Sequence, residues 1–92
     1  MNALIKRLIN PDTGKEAGAI LTAMPELPVG PEQKAIIDTS LRHYAYHTLY
    51  PGEGLNVYSS IYADTPAIVA IRDINSFDNK LIEFNLVLEL TM

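Results

Sequence analysis

LIEFNLVLELTM, residues 81–92, alternates apolar and polar positions. Ile82, Phe84, Leu86, Leu88, Leu90 and Met92 take the even positions; Glu83, Asn85, Glu89 and Thr91 take the odd ones, with Val87 the exception. Successive side chains of a strand point to opposite faces, so a period of two predicts a β-strand with one face in a core and one in water. At ~3.3 Å per residue the stretch would reach roughly 40 Å, longer than the strands before it. Part of it is therefore expected to outrun its neighbours and to pair with a partner chain.

Working backward, residues 67–74 are apolar on both faces except at Arg72 and the neighbouring Asp73, as in a strand flanked on both sides. The polar residues 75–80 form a loop, and Asp64-Thr65-Pro66 reads as a turn. Residues 55–63 are rich in Tyr, Val and Ile, the composition of another strand. Short connections predict that these last three strands form an antiparallel meander. Upstream, residues 32–48 change period. Ile37, Leu41, Tyr44 and Thr48 make one stripe, while Lys34, Asp38 and Arg42 follow at i, i+4 spacing on a neighbouring face. Pro31 suits the first turn of such a helix, and Pro51-Gly52-Glu53-Gly54 ends it. Pro25, Pro28 and Gly30 mark an extended connector before it.

The first segment, residues 3–9, fits either period, so a helix-first variant is the second reading. The turn chemistry of Asn10-Pro11-Asp12-Thr13-Gly14 and the apolar run 18–24 after it favour a hairpin. The expected fold is therefore one α+β domain spanning residues 1–92. It has two layers: a mainly antiparallel sheet of four to five strands covered by one helix, in the order β-β-α-β-β-β. The even-numbered face of residues 82–92 is the expected bed for Ile37, Leu41 and Tyr44.

Composition narrows function. The net charge is −4, with only seven Lys and Arg scattered along the chain. Phosphate neutralisation on nucleic acid and attraction to an anionic membrane both need more. With no cysteine, thiolate chemistry, disulfides and Cys-based zinc sites are excluded. Lys6 and Arg7 lie inside the first apolar stretch, unlike the pattern of a secretory signal, so a cytoplasmic location is expected. A core this small leaves little room for a small-molecule ligand, and no cofactor is expected.

No catalytic motif stands out. His43 and His47, four apart, share a helix face, the spacing of helical metal sites, but zinc would need a third protein ligand. They are the basis of the alternative reading, a small enzyme or metal protein, with Tyr50, Asp38 or Glu53 as helpers. The loop oxygens of Asp73, Asn75 and Asp78 do not follow the EF-hand spacing and read as turn formers. The leading reading is a non-enzymatic interaction or assembly module. Tyr46, Tyr50, Tyr58, Tyr62 and Arg42 are its expected partner-binding residues, because tyrosine and arginine anchor buried interfaces. The partner is expected to be a protein or a second copy of the chain, docked through sheet edges.

Overall fold

The structure, a computed structural model, describes residues 2–24, 30–62, 65–73 and 82–89. Five strands and one helix follow in the expected order. They are β1 (Asn2–Ile9), β2 (Glu16–Met24), α1 (Pro31–Tyr44) continuing into a π-helical turn (Ala45–Leu49), β3 (Asn56–Tyr62), β4 (Thr65–Ile71) and β5 (Ile82–Glu89). The first segment is a strand, not a helix. The turn after it uses the predicted chemistry. Gly14 adopts φ 71°, its amide donates to the Asn10 carbonyl at 2.8 Å, and the Asn10 side chain accepts from the Asp12 amide at 2.9 Å. Pro31 opens α1, and Lys34 N–H closes the first turn on the Gly30 carbonyl.

All strand pairs are antiparallel, in the spatial order β3-β4-β2-β1-β5. The meander expectation holds for β3 and β4 alone. β5 does not join β4. It crosses to the far side of the sheet and pairs with β1 along its whole described length, from Ile82 opposite Ile9 to Glu89 opposite Asn2. The physical reason lies in the connection: ten residues, 72–81, separate β4 from β5, against two to five in most hairpins. That is enough chain to pass two strands. Within the described residues β5 does not outrun its neighbour; residues 90–92 and the 75–80 loop lie outside them.

The position of α1 differs from expectation too. It packs over β4 and β2 rather than over β5. Ile37, Leu41 and Ala45 meet Leu21, Ala19, Ile68 and Ala70 there, and Ile5 and Ala3 of β1 extend the same core. Many of these sheet residues are alanines, which let the helix approach the sheet closely around the four largest buried side chains, Ile5, Leu21, Leu41 and Ile68. On the reverse face, Leu4, Ile20, Val69 and Ile71 are half-buried, and no helix among the described residues covers them.

The helical stripe ends differently from its 3.6-residue prediction. Ile37 and Leu41 are buried and Tyr44 packs against the core, but Thr48 is exposed. The chain widens into a π-turn at Ala45, closed by an i→i+5 bond from Tyr50 N–H to the Ala45 carbonyl at 3.0 Å. The wider turn shifts the phase, so Leu49 and Tyr50 continue the buried face in place of Thr48. No helix among the described residues is long and apolar enough to cross a membrane.

Candidate functional site: the outer edge of β3

β3 is NVYSSIY, seven residues at one end of the sheet. Its inner edge pairs with β4 in unbroken register, from Asn56 opposite Ile71 to Tyr62 opposite Thr65. Among the described residues nothing pairs with its outer edge. Proteins ordinarily protect such an edge with a charge, a proline, a bulge or a covering element. β3 contains no charged residue, no proline and no glycine, and its register has no bulge.

It also carries exposed apolar surface. Ile61 is 66% exposed, the most of any large hydrophobic among the described residues, and Tyr58 is 53% exposed. The two point to opposite faces, Ile61 to the helix side with Val57 and Ser59, and Tyr58 to the reverse side. Val57 is half-buried against the core, which anchors this end of the strand.

Helix α1 braces the edge through one polar triad. Arg42 Nε donates to Asp38 Oδ2 at 2.9 Å, one helical turn away. Ser59 Oγ donates to Asp38 Oδ1 at 2.7 Å and accepts from Arg42 Nη2. The i, i+4 spacing of Asp38 and Arg42 aims both at the same strand residue. An opposite-charge pair is thereby held against an otherwise uncharged edge.

The predicted partner-binding residues separate into three groups. Tyr58 and Arg42 both lie at this edge but on opposite faces of it, Arg42 against Ser59 on the helix side and Tyr58 on the reverse side; Tyr62 ends the same strand, its side chain lying outside the described set. Tyr46 is exposed in the π-turn, one turn beyond Arg42, with no contact to β3 shown among the described residues. Tyr50 is not a surface anchor at all: it is 2% exposed, turned inward by the change of helical phase.

Tyr50 instead centres a polar cluster at the end of the sheet. The Arg72 guanidinium lies over its ring, 4.6 Å from the centroid, and donates to Glu53 at 2.9–3.0 Å. Arg7 and Glu16 approach to 3.4 Å beside it. Burial, and next the nearby Glu16 carboxylate, push the Tyr50 hydroxyl well above the usual tyrosine range. Glu16 favours the protonated hydroxyl, yet that hydroxyl makes no hydrogen bond of normal geometry among the described residues; neither does Arg7 Nε.

His43 and His47 do sit together, with ring centroids 4.3 Å apart and planes tilted by 34°. Both are exposed, and they lie on the flank of the helix opposite Asp38 and Arg42. Among the described residues, no group of three or more His, Asp or Glu converges to hold a metal ion. Tyr50 and Glu53 belong to the separate Arg72 cluster, and Asp38 is committed to Ser59 and Arg42. None of the three expected helpers is drawn into a site with the histidines.

Sequence reasoning missed the location of the edge. Its signal was the composition of residues 55–63, the one predicted strand without a charged residue, proline or glycine across its whole length. No known protein family, curated protein or solved structure matches this chain.

Proposed function

We propose that the protein is a non-enzymatic interaction module that docks its partner by strand addition at the outer edge of β3. The observation that carries this reading is that edge itself: seven uncharged residues in unbroken register, with Ile61 two-thirds exposed. An added strand would satisfy the outward backbone groups, and the alternating side chains Val57, Ser59 and Ile61 would supply specificity on the helix side. A protein partner fits better than nucleic acid or an anionic membrane surface, because the chain carries a net charge of −4 and the edge carries none.

The test uses a synthetic peptide of residues 55–63 as an added strand, titrated into the isotope-labelled protein while amide resonances are followed. Shifts confined to residues 56–62 and the facing positions of β4 are expected. Ile61→Lys, which places a charge on the edge, should abolish them. Shifts centred on β5 or on the reverse face, or no shifts at millimolar peptide, would overturn the reading.

A further inference from the structure

We infer that the natural occupant of this edge is a second copy of the chain, paired β3 to β3 about a two-fold axis through Ser59. The inference rests on the strand-addition reading and adds a partner and a register to it.

The register follows from strand geometry. In an antiparallel pair, residues directly opposite share a face and a hydrogen-bonding phase. Two copies of one strand must therefore pair residues of the same parity, and the two-fold must pass through a residue rather than between residues. Of the possible centres, only Ser59 uses all seven residues, Asn56 to Tyr62. It sets Val57 against Ile61 of the second copy, Tyr58 against Ser60, and Ser59 against Ser59. Ile61, the most exposed large hydrophobic among the described residues, is thus covered twice, each time by a residue anchored in the opposite core.

Charge supports the same axis. Thr22 of β2 pairs with Ala67, which pairs with Ser60, so β2 ends at the Tyr62 end of β3. α1 starts from that end and the chain leaves it toward Asn56, so α1 runs antiparallel to β3. Asp38 and Arg42 both bond Ser59, and that chain direction would set Asp38 on the Ile61 side of it and Arg42 on the Val57 side. A two-fold at Ser59 brings Arg42 of each copy beside Asp38 of the other, giving two reciprocal opposite-charge contacts. On β5 a two-fold at Leu86 lacks this match. Glu83 and Glu89 of β5 are symmetric about Leu86, so a two-fold there would oppose like charges.

The absence of cysteine makes the register directly readable. Ser59→Cys introduces the sole thiol at the axis, where directly opposed Cβ atoms fall about 4.5–5.5 Å apart, near disulfide reach. Under mild oxidation it should form a disulfide-linked dimer of twice the 10.2 kDa chain mass, whereas Ser60→Cys and Val57→Cys should not. A charge exchange tests the contact with Ser59 intact. Asp38→Arg and Arg42→Asp should each remain monomeric alone and form a heterodimer when mixed. Ile61→Lys should weaken association about a hundredfold, since its effect is doubled by the two-fold. Cross-linking at Ser60 or Val57 instead, or no pairing of the mixed charge variants, would overturn the register. A wild-type chain that stays monomeric at millimolar concentration would overturn the second copy as partner. If the 55–63 peptide still shifts β3 in that case, strand addition stands and the occupant is another protein; if it does not, both fail.

Discussion

Replacing Tyr50 by Phe removes one oxygen and leaves the buried ring in place beneath Arg72. Among the described residues the Tyr50 hydroxyl has no hydrogen bond of normal geometry, and a buried hydroxyl left so costs about 1–3 kcal/mol of desolvation. At pH 7 the Tyr50→Phe variant is therefore expected to match the wild type or exceed it, by up to about 2 kcal/mol. The two should diverge in alkali. A tyrosine in the unfolded chain titrates near 10. Burial and the Glu16 carboxylate raise the folded-state value above that, so the folded state keeps its proton over a range where the unfolded state loses it. The stability tied to this proton is complete below about pH 10. It falls as pH rises from there toward the folded-state value, at a limiting slope of about 1.4 kcal/mol per pH unit. The Phe variant lacks this component. Urea denaturation followed by far-ultraviolet circular dichroism at pH 7 and pH 10.5 measures both effects. A loss above about 1 kcal/mol at pH 7 would show that the hydroxyl is well hydrogen-bonded. Identical alkaline decline in the two proteins would show that Tyr50 does not titrate as its surroundings dictate.

The core and the first turn make separate demands. Leu41→Ala empties a fully buried position between α1 and the sheet and should cost about 2–5 kcal/mol, read as a lower urea midpoint. Gly14→Ala meets no neighbouring atom but must hold φ near 71°, so it should cost about 1–2 kcal/mol through backbone strain alone. Ile61→Lys, at an exposed position, should change the stability of the monomer by no more than about 0.5 kcal/mol in urea while removing association in light scattering.

Local pattern carried much of the fold. The alternation in residues 82–89, the turn at residues 10–14 and the Ile37–Leu41 stripe each act over a few residues, and each formed the predicted element. What pattern could not carry was partner choice. An amphipathic strand pairs as well with β1 as with β4, and only the ten-residue connection hinted that β5 would travel. Placing α1 over β4 and β2 follows from that rearrangement. The phase shift at Ala45 had no local signature either, and it turned Tyr50 from an expected surface anchor into a buried residue. The proposed interaction edge was half legible. Tyr58 and Arg42 were expected to bind a partner, but Ile61 and Ser59 gain their importance only once β3 is placed at the edge with α1 braced against it.

Backbone hydrogen exchange at dilute and concentrated protein tests the role of the β3 edge most directly. If association occurs by strand addition there, outward-facing amides within residues 56–62 should exchange freely in the dilute monomer and become protected as the protein associates. Association accompanied by new protection in β5 or across the reverse face, with the β3 amides still exchanging freely, would contradict it.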